Sequence, residues 1–128
     1  MVLPRSGEMP HTRLSIRVDL ASGERIGPGK IALLEAIAQT GSISAAARQL
    51  GMSYRRAWLL VEAINDALRE PAVSAATGGQ HGGGAMLTPT GERIVDLYRT
   101  IEGHAHTSAS EEFRALSRIT RKSAKSRV

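Results

Sequence analysis

Gly41-Ser-Ile-Ser-Ala-Ala-Ala-Arg-Gln-Leu-Gly-Met-Ser-Tyr-Arg-Arg-Ala-Trp58 reads as two short helices hinged at Gly51. The first is predicted to start at a Ser cap and to run through Ala45, Ala46, Ala47 and Leu50, small enough for a second helix to approach closely. Gly51 supplies a turn position with φ > 0, which other residues adopt only at a cost. Met52 is expected to face inward. Ser53 is placed to accept a hydrogen bond from the backbone N–H of Arg55 or Arg56 and so to cap the second helix. That leaves Tyr54, Arg55 and Arg56 in the exposed first turn, the part of a helix-turn-helix that meets base edges. Each arginine can pair bidentately with guanine or bind a phosphate, and the residues alone leave both roles open. Tyr54 can reach a phosphate or pack beside Trp58.

Upstream, Leu14, Ile16, Val18 and Leu20 alternate with Ser15, Arg17 and Asp19, the period of a half-buried strand. Gly23, Gly27, Pro28 and Gly29 break it, and a helix is predicted from about Lys30 to Thr40 with Ile31, Leu34, Ile37 and Ala38 at helical spacing. Gly41 stands at its C-terminal cap. Downstream, Ala57, Val61, Ile64 and Leu68 form the apolar stripe of the second motif helix, with Trp58 and Leu60 widening it toward the core. Pro71 cannot continue that helix. Ala72–Thr77 and Ala85–Thr88 then read as two strands around Gly78-Gly-Gln-His-Gly-Gly-Gly84, a hairpin that after a helix-turn-helix is a wing. Its glycines allow either a phosphate cradle of backbone N–H groups or a flexible tip. The loop is not a nucleotide-binding P-loop, because the Gly-Lys-Ser/Thr ending and the preceding buried strand are missing.

Thr88-Pro89 opens a long helix, a hydroxyl cap followed by proline at the first helical position. Ile94, Leu97, Tyr98, Ile101 and Ala105 lie along one stripe of it, open either to the domain's own core or to a partner subunit; in a domain this small we assign it to a symmetric dimer interface. The fold class is therefore mainly α with a small β-hairpin: a winged helix-turn-helix with an N-terminal strand and a long C-terminal dimerisation helix. Residues 1–11 are expected to be a flexible arm, 12–112 the DNA-binding domain with its dimerisation helix, and 113–128 a disordered basic tail with no acidic residue.

Seventeen basic against twelve acidic residues give a formal net charge of +5, which favours a polyanionic partner. Tyr54, Trp58, Tyr98 and Phe113 are the only aromatic residues, too few for the stacking platforms of single-strand binders, so double-stranded DNA is the expected partner. The absence of cysteine rules out disulfides and Cys-based zinc sites. No run approaches the roughly 18 apolar residues of a membrane span, and no signal-peptide core is present, so a soluble cytoplasmic protein without a membrane partner is expected. His104 and His106 fall on different helix faces and His11 and His81 lie far away, so no metal site is expected. No nucleophile–base or paired-carboxylate arrangement stands out, so no catalytic residue is expected and the chain is not read as an enzyme.

Gly41-Ser-Ile-Ser-Ala-Ala-Ala, Met52-Ser-Tyr-Arg-Arg-Ala-Trp58 and Ala76-Thr-Gly-Gly-Gln-His-Gly-Gly-Gly-Ala-Met-Leu-Thr88 together resemble the N-terminal domain of the ModE family of molybdenum-responsive transcription regulators, itself similar to the winged helix-turn-helix of LysR-type regulators. The match covers about residues 12–105. The resemblance implies a homodimer on an imperfect palindrome, controlling genes of molybdate uptake and molybdenum enzymes. It implies DNA contacts from Tyr54, Arg55 and Arg56 beside the Ser53 cap, from Ser42 and Ser44 at a helix start, and from Thr77, Gly78, Gly79, Gln80, His81 and Gly82 in the wing. It also implies molybdate as effector. The family's molybdate-binding pair of small β-barrels has no counterpart after Glu102, so no cofactor is expected within this chain. Two rival readings are a small oxyanion-binding or delivery protein and a dimerisation partner of full-length regulators without DNA specificity of its own.

Overall fold

Proline at the first helical position and a left-handed glycine just past the last residue bracket helix α1 (Pro28–Thr40), whose C-cap Gly41 has φ 72° and donates its N–H to the Ile37 carbonyl. The computed structural model describes residues 12–76 and 84–121. The arm at 1–11 and the wing residues Thr77, Gly78, Gly79, Gln80, His81 and Gly82 lie outside the described residues, as does the end of the chain from 122. The chain divides into two compact units, one of residues 15–101 and one to which the described residues 12–14 and 102–121 belong.

In the larger unit α1 is the hub. Ile31, Leu33, Leu34, Ala36 and Ile37 are all buried, a wider face than one helical stripe, because helices and the wing pack on several sides of it. Ala38, expected on that face, is exposed. Helix α2 (Ile43–Leu50) starts at Ser42, whose Oγ accepts from the Ala45 N–H at 3.1 Å, and ends at Gly51 with φ 70°. Ala46 and Ala47 are buried where α2 crosses its neighbours, so the small residues act as the sequence implied. Helix α3 (Tyr54–Asp66) is capped by Ser53, whose Oγ accepts from the Arg56 N–H at 3.1 Å, and buries Ala57, Val61 and Ile64.

The expected strand at residues 14–20 keeps its alternation, with Leu14, Ile16, Val18 and Leu20 half-buried and Ser15, Arg17 and Asp19 exposed. Only β1 (Val18–Asp19) is a strand, paired antiparallel with β2 (Arg25–Ile26) across a turn containing Gly23 at φ 97°. The difference has a physical cause: a ladder needs a partner, and the partner here is two residues long.

The wing strands β3 (Val73–Ala76) and β4 (Gly84–Leu87) pair antiparallel from Val73↔Leu87 to Ala76↔Gly84. The Ala85 N–H donates to the Gly41 carbonyl at 3.0 Å, tying the wing to the end of α1. Asn65 fastens the other side. Its side chain accepts from the N–H groups of Ala72 (2.8 Å) and Val73 (3.2 Å) and donates to the Val73 carbonyl (3.1 Å), so the start of the wing is held to the end of α3.

Helix α4 (Pro89–Ser108) is opened by Thr88, whose Oγ1 accepts from the Gly91 N–H and donates to the Pro71 carbonyl at 2.6 Å. A Cβ at Gly91 would lie 2.2 Å from the Ala72 carbonyl oxygen, so only glycine allows this approach. Tyr98 is buried and its hydroxyl donates to the Ile16 carbonyl at 2.6 Å. This corrects its assignment to a dimer interface: Tyr98 belongs to the core of its own unit. Arg99 of α4 forms a two-bond pair with Glu35 of α1, at 2.7 and 3.1 Å.

In the second unit α4 continues through Gly103 and is followed by α5 (Ser110–Ile119). The disordered tail expected from Phe113 is therefore a helix as far as Ile119. Its first turn carries Glu111 and Glu112 and its last Arg118, charges matched to the helix dipole, and the Phe113 ring stacks on His106 at 5.5 Å.

Candidate nucleic-acid interface

The two serine caps and the left-handed Gly51 fix the start of α3, and they project Tyr54, Arg55 and Arg56 outward, all three exposed. Among the described residues no carboxylate lies within salt-bridge distance of either arginine. Both guanidinium groups thus face solvent without an internal counter-ion, the state in which a cation gains most from a polyanion.

Trp58 does not join the core. It is 44% exposed, as are its neighbours Leu59 (47%) and Tyr54 (56%). The reason is the helical period: Ala57, Val61 and Ile64 already face the core, and Trp58, one residue past Ala57, is turned about 100° from that face, onto the flank where Tyr54 stands one turn earlier. The outer face of α3 is therefore apolar as well as cationic. A shallow cleft of about 340 Å³ on it is lined by Ser53, Arg55, Arg56, Leu59 and Leu60. Leu59 had no signal in the sequence beyond its place one residue past an expected core tryptophan.

The serines divide by role. Ser42 and Ser53 spend their hydroxyl oxygens on the caps, while Ser44 is exposed and its Oγ accepts from Arg48 Nη1 at 3.1 Å, one turn along the outer side of α2. Of the stripe on α4, Ile94 is half-buried against the core, Ala105 is half-buried, and Leu97 (46%) and Ile101 (45%) are exposed one turn apart. Among the described residues no group of His, Asp and Glu could hold a metal ion. No helix among them is long and apolar enough to cross a membrane.

Arg17, Arg25 and Lys30 form a second basic cluster, which no motif in the sequence marks. Together with Arg56 they line a cleft of about 430 Å³ between the β1–β2 hairpin, the first turn of α1 and the side of α3. The available signal was the polar half of the Leu14–Leu20 alternation, where Arg17 stands.

The molybdenum-pterin-binding protein MopB of Rhodobacter capsulatus is 54% identical over 81 residues, which are 63% of this chain and 30% of MopB. The transcriptional regulator ModE of Yersinia pestis is 49% identical over 71 residues, 56% of this chain and 27% of that protein. The DNA-binding transcriptional dual regulator ModE of Escherichia coli K12 is 45% identical over 71 residues, with the same coverage. The chain spans about a third of the length of the curated relatives it matches. Residues 29–92, from the first turn of α1 into α4 and so including the whole helix-turn-helix, match the bacterial regulatory helix-turn-helix proteins of the lysR family, and the chain belongs to that family.

Proposed function

We propose that this chain is a sequence-specific DNA-binding transcription regulator of ModE type, acting in the cytoplasm as a homodimer on a palindromic operator of molybdate-uptake or molybdenum-enzyme genes. The observation that carries the reading is the capped, exposed turn Tyr54–Arg55–Arg56, with no carboxylate among the described residues in salt-bridge reach of its charges. The names of the relatives support the biological setting, since several are ModE regulators and one is a molybdenum transport protein. Leu97 and Ile101 support the dimer: two exposed apolar side chains one turn apart on α4 make a self-complementary ridge. A symmetric pair would set the recognition helices about 34 Å apart, one turn of duplex.

Selection of bound duplexes from a random pool, with and without molybdate, tests the reading. A palindrome with half-sites one turn apart is the expected product. On that duplex, replacing Arg55 and Arg56 together by alanine is expected to weaken binding by at least about 1–3 kcal/mol, the cost of losing one base-reading arginine. Equal binding by the double variant and the parent at physiological salt would rule the interface out.

A further inference from the structure

The cleft beside α3 has a composition that the helix-turn-helix does not require. Arg17 comes from the edge of the β1–β2 hairpin, Arg25 from β2, Lys30 from the first turn of α1 and Arg56 from α3, so three separate elements each contribute a cation to one wall. Met52 and Leu60 also line it, and among the described residues no carboxylate does. Two acids lie nearby. Asp19 Oδ1 is 3.5 Å from the Nε atoms of both Arg17 and Arg25, and Glu24 accepts from the Lys30 ammonium, which also donates to the Arg25 carbonyl at 2.6 Å. Four cations against two carboxylates leave an excess of two positive charges.

Arg56 connects this cleft to the DNA-facing side, because it lines both it and the shallower cleft that holds Arg55. The arginines of the hairpin are accessible, with side chains 58% (Arg17) and 61% (Arg25) exposed. They line an open edge of the interface rather than enclosing a small anion. Guanidinium groups suit phosphate by geometry as well as charge.

We propose that this cleft holds a backbone phosphate of the bound duplex, so that the DNA interface extends beyond the helix-turn-helix onto the N-terminal hairpin. Arg56, Arg17 and Arg25 are its phosphate-binding residues. Arg55, which lines only the outer cleft, is left to read bases. The proposal rests on the DNA-binding reading above.

The test uses the full chain and a duplex selected as described. Replacing Arg17 and Arg25 together by glutamine is expected to weaken binding about tenfold at physiological salt and to reduce the slope of log K against log salt by about 1, with the selected sequence unchanged. Arg56→Gln is expected to act in the same uniform way, whereas Arg55→Gln alters which bases are selected. Asp19→Asn removes the carboxylate shared by Arg17 and Arg25 and is expected to tighten binding about two- to fivefold, a gain that a merely structural role would not give. Thermal unfolding of each variant controls for folding.

An unchanged salt slope in the hairpin double variant, with Asp19→Asn no tighter than the parent, overturns the phosphate site while leaving the DNA-binding reading intact. Inorganic phosphate and molybdate, titrated separately by calorimetry, give a second arm. Binding of either anion that the double variant loses, without any change in the DNA salt slope, also overturns the proposal and assigns the cleft to a free oxyanion. Absence of any selected sequence from the parent protein fails the underlying reading as well, a result distinct from the other two.

Discussion

Helices α3 and α4 both leave large apolar side chains in solvent, yet the polar contacts that hold them are placed differently. Helix α3 buries Ala57, Val61 and Ile64 and is in addition pinned at both ends: Ser53 caps the start, and Asn65 fastens the last turn to the wing through three hydrogen bonds. Its first two turns leave Tyr54, Trp58 and Leu59 exposed beside two arginines. Helix α4 is fixed along one side, by Gly91 against the Ala72 carbonyl, Tyr98 against Ile16 and Arg99 against Glu35. Leu97 and Ile101 remain on the other side. End anchoring suits a helix that must enter a groove. Side anchoring leaves the far face of α4 rigid, as the proposed dimer requires.

The side anchor of α4 is most exposed to substitution at Gly91. A valine there would drive its Cβ into the Ala72 carbonyl, which also accepts the Thr88 N–H at 2.9 Å. Relief requires α4 to move away from β3, and overpacking against backbone that cannot yield is expected to cost upward of about 3 kcal/mol. Thermal unfolding measures it: an unaltered midpoint would mean that α4 is not held by this approach.

Asn65→Ala is the matching test for α3. It leaves the Ala72 and Val73 N–H groups and the Val73 carbonyl without their side-chain partner, with an expected loss of about 2–3 kcal/mol in urea unfolding. Operator binding should weaken too, because the wing would no longer be held to the recognition helix. A stable variant with intact binding would show that the end anchor is dispensable.

Tyr98→Phe separates the two sides of α4. Losing the bond to the Ile16 carbonyl is expected to cost about 1 kcal/mol of stability and to leave self-association unchanged. Leu97→Gln with Ile101→Gln should do the reverse, keeping stability near that of the parent while sedimentation shifts toward monomer. If Tyr98→Phe were the variant that dissociated, the assignment of the two faces would be the wrong way round.

Which of these features could be read from the sequence follows from how local their causes are. Ser42, Gly51 and Ser53 were legible because a cap or a left-handed turn involves residues within three or four positions. Trp58 and Tyr98 were misplaced because an apolar stripe records that a face is covered or apolar, not what covers it. Tyr98 reaches a carbonyl 82 positions away, and no local pattern encodes that. Gly91 and Asn65 are likewise set by a backbone brought in by the wing. The α5 helix was hidden by its basic end, although Phe113, Leu116 and Ile119 recur there at a helical interval. The hairpin cleft escaped notice because its cations come from three elements.

The smallest expected effect concerns Glu24, whose pairing with Lys30 sets the wall of that cleft. The hydrogen bond from the Lys30 ammonium, helped by the Arg25 backbone N–H, holds the Glu24 carboxyl below its ordinary value of 4.5. A carboxyl whose pKa is lower in the folded state binds fewer protons there than in the unfolded chain. Its stabilisation is therefore fully present at neutral pH, begins to fade as pH falls toward that ordinary value, and is gone below the folded one. Glu24→Gln removes the linkage but leaves a group that can still accept from Lys30. The thermal midpoints of parent and variant are thus expected to differ slightly at neutral pH and to converge in acid, while a gap that stayed constant from neutral pH down to pH 3 would mean that the pair contributes packing and not charge.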